Sequence, residues 1–393
     1  MERLNLFAPH VRANPYPHYA ELRRSGPVTQ VEPGGVWAVS RFDDIVSVFK
    51  NPAVFSSQGL RPLTIQPWIQ HNPVAESLIM MDPPRHTAIR GLITHAFSAR
   101  VLPRIEPLAR KVCTAFAARV KEGGEIDVCD ALSATLPAAV IADLLGFDRA
   151  LTRHFQTWTE DLVSVNPATP AEAQPRILQT VADLERYIKD VLADRRSARR
   201  DDLVSDLLDA EVGGERLDEE DLIAFLFLLL IAGFETTTHL LTNSLRVLAD
   251  RPELIARMRA EPASIPSFVE EALRFDPPVH GTMRITVAEA EVGGVRLPPG
   301  SPVLTLLGSA NRDESQFEDP DRFDMDRKQK ASIAFGHGVH FCLGAALARA
   351  EARIALEELV PHIQNIRITR EPTWNLSMTV RGPTSCWMEL LPV

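Results

Sequence analysis

Ten residues near the C-terminus, Phe335-Gly336-His337-Gly338-Val339-His340-Phe341-Cys342-Leu343-Gly344, constrain this 393-residue chain more than any other stretch. They predict a glycine-rich loop that presents one cysteine just before an alanine- and leucine-rich helix over 343–359. Gly336 and Gly338 let the backbone turn sharply and lie flat against a large planar partner, and Gly344 lets the helix approach closely. The helix N-terminus points its N–H groups and positive dipole end back at the sulfur, which favours a thiolate. A thiolate is a strong, soft donor to iron. Lone cysteines are ordinarily inert buried thiols, and the flanking pattern is what argues here for a ligand.

The stretch matches the cysteine loop of the haem-thiolate monooxygenases, the cytochrome P-450 family, and the chain resembles that family along essentially its whole length. The resemblance implies that Cys342 is the axial ligand of the iron of haem b (iron protoporphyrin IX), with Phe335, Gly336 and Gly344 shaping the loop around it. It further implies O2 as co-substrate and a single large domain, mainly α with a minor β region, of the soluble bacterial type.

Bulk composition agrees with a globular enzyme. At 393 residues the chain exceeds the usual limit of roughly 250–300 for one core, so either two domains or one cofactor-centred domain is expected. A net charge of −10 argues against general nucleic-acid binding. Cys113, Cys129, Cys342 and Cys386 lie far apart without CxxC spacing, which predicts neither a disulfide framework nor a zinc site and fits a reducing, cytoplasmic setting. The N-terminus lacks an apolar signal region, and the longest apolar run, 222–234, falls short of the ~20 residues that span a bilayer. We therefore expect no membrane anchor, and a monomer.

Periodicity predicts a short helix at 17–25, a hairpin turning at Glu32-Pro33-Gly34-Gly35, and an amphipathic helix at 41–49. An irregular segment over 56–81 follows, of the length that lids use. The helix-rich core covers about 85–275 and 343–360, and the small β regions about 27–40, 283–305 and 375–391.

In Leu229-Leu230-Ile231-Ala232-Gly233-Phe234-Glu235-Thr236-Thr237-Thr238 an apolar helix acquires an acid and three hydroxyls beside a glycine, a combination that can open the helix locally. The resemblance implies that this is the central helix over the distal haem face. Ala232 would lie against the cofactor, and Thr236 and Glu235 would relay protons for O–O cleavage. The family more often has Asp where Glu235 stands.

Glu271 and Arg274 sit three apart on one helix face. The resemblance makes them a buried structural lock with Arg322 as third member. For the haem propionates it implies His86 and Arg90, four apart in one helix, with Arg284 and His340. Each alone reads equally as a surface cation or a core histidine.

Substrate-facing candidates are Leu63, Ile65, Trp68, Phe227, Leu228, Val279, Met378 and Thr379, a mostly apolar set suited to a lipophilic compound. Arg61 and His71 are possible anchors for a carboxylate. The chain has no flavin or nicotinamide fingerprint, so NAD(P)H would act only through a separate ferredoxin or flavodoxin, steered by Arg100, Arg104, Arg110 and Lys111. The expected activity is hydroxylation or epoxidation; the alternatives are a peroxide-dependent peroxygenase and a non-catalytic haem-binding sensor.

Overall fold

The computed structural model describes residues 3–97, 101–328 and 332–393 and is mainly helical. Its longer helices are α1 (Tyr16–Ser25), α2 (Phe42–Lys50), α3 (Arg85–Ala96), α4 (Val101–Val120), α5 (Thr135–Leu145), α6 (Phe155–Val163), α7 (Gln174–Ser197), α8 (Glu219–Asp250), α9 (Pro252–Ala260), α10 (Ile265–Phe275) and α11 (Ala345–Leu359). The strands are β1 (Val28–Val31), β2 (Val36–Val39), β3 (Phe55–Ser56), β4 (Glu125–Asp127), β5 (Thr282–Thr286), β6 (Ala290–Val292), β7 (Val295–Leu297), β8 (Pro302–Thr305), β9 (Ile363–Ile368), β10 (Thr373–Trp374), β11 (Pro383–Ser385) and β12 (Trp387–Pro392). Two compact units result, one from Met1–Phe55, Ala109–Leu136 and Thr236–Val393, the other from Ser56–Leu108 and Pro137–Glu235.

The first unit holds the sheets. Its largest sheet has the order β1-β2-β8-β5-β3, with β2 and β8 parallel and β5 antiparallel to β8. Alternation along the strands buries both faces. Val28, Val39 and Val303 join Ile45, Val48 and Phe49 of α2 on one side, whereas Ala38 and Leu304 meet Tyr19 and Leu22 of α1 on the other. A second sheet, β4-β12-β9, pairs Met388 with both Ile126 and Ile368.

The loop that carries Cys342 hangs from α10. Arg274 and Glu271, both buried, form a two-point ion pair at 2.7 and 2.8 Å. Arg274 spends its remaining donors on the carbonyls of Asn311, Pro320 and Arg322, at 2.9, 2.8 and 3.1 Å. The side chain of Asn311 accepts from the Ile333 N–H at 2.9 Å, and the Ile333 carbonyl from the Gly336 N–H at 2.9 Å. A chain of bonds thus leads from one guanidinium to the cysteine loop. The expectation for Arg322 needs correction. Its side chain is 66% exposed and pairs with Asp324 at 2.6 Å; only its carbonyl touches the lock. Arg327 reaches Glu271 instead, at 3.4 Å, and also donates to the carbonyls of Glu318, Asp319 and Arg322.

In the second unit α6 packs against α7, and Leu162 of the first and Ile177, Val181 and Leu184 of the second are buried. Buried Asp161 clips them together, accepting from Thr180 at 2.7 Å and pairing with Arg176 at 2.8 Å. Helix α8 crosses from this unit into the first between Glu235 and Thr236. It is long and apolar enough to cross a membrane, but 72% of its most apolar window is buried inside the protein, as a core helix requires. It runs unbroken through Gly233 rather than opening there. The missing side chain serves a close approach, since a Cβ would stand 2.9 Å from Ile141 of α5.

Arg274→Ala should cost about 3–5 kcal/mol in urea unfolding, because it strands the Glu271 carboxylate, while Arg322→Ala should stay within about 0.5 kcal/mol. A second prediction concerns Glu351 of α11, whose buried carboxyl has Oε2 unbonded and is pushed by desolvation from 4.5 up to about 8. The folded chain keeps a proton there that the unfolded chain has released, so this contribution is complete below about pH 4.5 and declines as pH rises toward 8. Glu351→Gln should therefore flatten the dependence and be the more stable protein at pH 8, read as the difference between the two melting curves.

Candidate active site

Local chemistry explains how the cysteine is presented. Gly336 and Gly338 adopt φ of +74° and +70°, and a Cβ on Gly338 would collide with the Phe49 carbonyl oxygen at 2.8 Å. The loop closes through Cys342 N–H to the Phe335 carbonyl at 2.9 Å and Phe341 N–H to the Gly338 carbonyl at 3.1 Å. The Arg349 guanidinium, paired with Glu270, caps the Phe335 ring at 4.5 Å. Gly344 is the N-cap of α11, with its Cβ position 4.0 Å from the Cys342 sulfur, so the thiol stands at the positive end of a 15-residue helix.

The four cysteines divide cleanly. Cys113, Cys129 and Cys386 are buried, and desolvation pushes their thiols up to about 12, 12 and 11. Cys342 is exposed, beside a Phe341 that is 44% exposed. Among the described residues there is no cluster of three or more His, Cys, Asp or Glu able to hold a bare metal ion. A single accessible sulfur fits a metal whose other positions are filled by a ligand of its own, and that is what a haem brings.

Within the same unit Phe49 joins the cysteine loop to Arg284. The buried Arg284 guanidinium lies 5.5 Å from the Phe49 ring and donates to its own neighbour's carbonyl, Met283, at 2.7 Å. His340 is half-buried two residues before the cysteine. Val279, Met378 and Thr379 are also half-buried, on two segments joined by an antiparallel bridge between Val279 and Val380. Thr236 is half-buried on α8.

In the second unit His86 is buried and Arg90 half-buried on α3. Leu63 and Ile65 are exposed at 38% and 37%, and Trp68 is half-buried. Helix α8 is buried at every residue from 221 to 230 and again from 237 to 245, yet accessible at Ile231, Ala232, Gly233, Glu235 and Thr236. Ala232, Glu235 and Thr236 share one face by their i, i+3, i+4 spacing. Leu228 lies on that face one turn earlier. Phe227 is a correction: it is wholly buried, so it belongs to the core and offers no wall surface.

Several expected cations are committed elsewhere. Arg61 pairs with Glu76, and His71 with Glu185 at 3.1 Å, so neither is an open carboxylate anchor. Arg104 is held by Asp201 and Asp206, and Arg110 by Glu357 and Glu358, each at 2.8 Å. Of the expected docking cations Lys111 stays exposed, and Arg100 lies outside the described residues. Sequence reasoning missed Arg327, although the run Phe323-Asp324-Met325-Asp326-Arg327 carries a second acid-arginine pair that could have flagged it.

Residues 4–369 match the family model described as Cytochrome P-450. The erythromycin C-12 hydroxylase of Saccharopolyspora erythraea is 39% identical over 355 residues, 89% of this chain and 87% of that one. A cytochrome P-450 structure from Chondromyces apiculatus superposes with a TM-score of 0.90 at 36% identity, covering 100% and 99% of the two chains. One from Bacillus megaterium, solved in complex with testosterone, gives 0.84 at 33%, covering 96% and 99%. With a glycine-rich cysteine loop, a mainly α fold and relatives of this kind, the chain belongs to the cytochrome P-450 family of monooxygenase oxidoreductases.

Proposed function

We propose that this protein hydroxylates or epoxidises a neutral, lipophilic organic compound, using O2, haem b bound through Cys342, and electrons from a separate ferredoxin or flavodoxin in the cytoplasm. The accessible Cys342 sulfur, presented by a sharply turned glycine loop at the N-terminus of α11, carries the reading. Bound haem would supply the redox chemistry that activates O2, helped by electron density from the thiolate.

The remaining roles fall to the chain's own groups. The α11 dipole and loop N–H groups would favour negative charge on the Cys342 sulfur. Phe335 and Phe341 flank the loop that presents the sulfur. His86, Arg90, Arg284 and His340 would neutralise the two propionates. Ala232 leaves space on α8, the Thr236 hydroxyl holds a proton at the reacting oxygen, and the Glu235 carboxylate replenishes it from solvent. Leu63, Ile65, Trp68, Leu228, Val279, Met378 and Thr379 would form an apolar wall.

A neutral substrate is favoured because Arg61 and His71 already face carboxylates of this chain. The named activity of the erythromycin C-12 hydroxylase and the testosterone complex support a bulky macrocyclic or polycyclic skeleton. A spin-state screen of erythromycin-type macrolides, testosterone and myristic acid tests this: macrolide or steroid should displace iron-bound water, and a response to the fatty acid alone would reverse the assignment.

Cys342→Ser should abolish the thiolate-type band of the reduced carbon monoxide complex while the far-UV dichroism stays unchanged. Thr236→Ala should retain haem but lower product formation by on the order of 10²-fold, the lower end of what a placed proton donor contributes, with electrons diverted to peroxide. Unchanged coupling would remove Thr236 from the relay.

A further inference from the structure

One buried polar cluster of the first unit has no part in the chemistry above. Asp276 follows α10, and its carboxylate accepts from Tyr16 at 2.5 Å, from Arg381 at 2.7 Å and from Arg246 at 3.2 Å. Arg381, fully buried, also donates to the carbonyls of Arg12 and Ala13, at 2.9 and 2.8 Å. Arg12 in turn donates to the carbonyls of Asn375, Ser377 and Val380 at 3.0, 2.9 and 3.1 Å. At the centre stands His280, 1% exposed. Its Nδ1 lies 3.1 Å from the Tyr19 hydroxyl, and its Nε2 lies 3.5 Å from the Tyr16 hydroxyl and 3.7 Å from Asp276 Oδ1.

The cluster is already rich in cations, with Arg246 and Arg381 on one carboxylate and Arg12 bonded to Arg381 through its carbonyl, so a charged imidazole would be a fourth. Burial accordingly pushes His280 down to about 4 and it is neutral. The contacts then assign the tautomer: Nδ1 accepts from Tyr19, and Nε2–H faces Tyr16 and Asp276. A neutral ring held at both nitrogens is a fixed spacer rather than a proton carrier.

What it spaces is the stretch around it. His280 N–H and Gly281 N–H both donate to the Thr379 carbonyl, at 2.7 and 3.0 Å, and Arg381 N–H donates to the Pro278 carbonyl at 2.8 Å. His280 and Arg381 turn into the cluster, while Val279, Thr379 and Val380 are half-buried. The ring is also boxed in from behind, because a Cβ on Gly308 would stand 2.9 Å from its Nδ1.

We propose that His280 is a positioning residue, which through Tyr19, Tyr16 and the Asp276–Arg381 pair fixes where Val279 and Thr379 stand and so sets the shape selectivity of the substrate wall. The inference rests on the reading that these two segments line the haem-side cavity. Any movement of the ring passes directly to Val279, its chain neighbour, and through two backbone bonds to Thr379.

Azole binding to the ferric holoenzyme tests both layers separately. Imidazole reports on the iron alone, and 4-phenylimidazole adds a ring that must pass the wall. In Tyr19→Phe and Gly308→Ala, which disturb His280 with little loss of volume, and in His280→Phe, the Kd for imidazole should stay within twofold of the parent. The Kd for 4-phenylimidazole should change at least fivefold. Equal shifts for both azoles, or a lower melting temperature with both Kd values unchanged, would make the cluster merely structural and overturn the proposal. If His280→Phe does not fold, the other two variants decide. Failure of imidazole to perturb the parent spectrum would instead strike at the haem reading.

Discussion

One guanidinium carries much of the geometry on which function would depend. A cysteine that is to bind a metal must be accessible yet rigid, and the described residues of the 29-residue stretch 307–335 that leads up to Cys342 hold no long helix and no strand. Loops of that length order themselves only when their backbone groups are captured. Arg274 does the capturing, through three carbonyls at 311, 320 and 322, and Glu271 holds Arg274 from behind while accepting the Asp324 N–H at 2.8 Å. Desolvating this pair is expensive, and each charge-assisted bond recovers part of that cost at roughly 1.5–3 kcal/mol. The net gain is specificity of path more than raw stability. Asn311 passes that path on to Ile333 and so to the glycine turn.

The same logic separates two kinds of polar intrusion into apolar surroundings. The Asp276, His280 and Arg381 group is saturated by neighbours and sealed, which makes it a rigid scaffold. Glu235 and Thr236 sit instead in an accessible gap of a helix otherwise buried for ten residues before it. Burial of α8 on both sides fixes the backbone from which the two side chains project.

Local signals were readable from the sequence, and long-range ones were not. The turn at Gly34-Gly35, the paired strands around Gly293-Gly294, α2 and α10 each follow from periodicity and turn residues within a dozen positions. The cysteine loop was equally legible, because it is defined by contiguous residues with a steric reason for each glycine. Strands β4 and β9 escaped notice: three and six residues long, they are held by β12 from the far end of the chain, and propensity says nothing about such a partner. Choosing Arg322 over Arg327 failed for a related reason. Both follow an aspartate-rich run, and only the folded path decides which one turns inward. Phe227 read as wall rather than core because helix periodicity cannot tell a face that meets a cavity from one that meets another helix.

Charge shows the limit most sharply. Arg61, His71, Arg104 and Arg110 all look like groups offered to an outside partner, and each is engaged by a carboxylate of the same chain. Their partners stand 15, 114, about a hundred and about 250 positions away, so most of the cancellation is invisible to any local reading. With an overall charge of −10, surplus acid is available to absorb most surface arginines, and an attractive patch must survive that competition. The chemistry of such a chain is therefore written in contiguous motifs, whereas its choice of substrate and electron donor is written in which charges remain after folding has paired the rest.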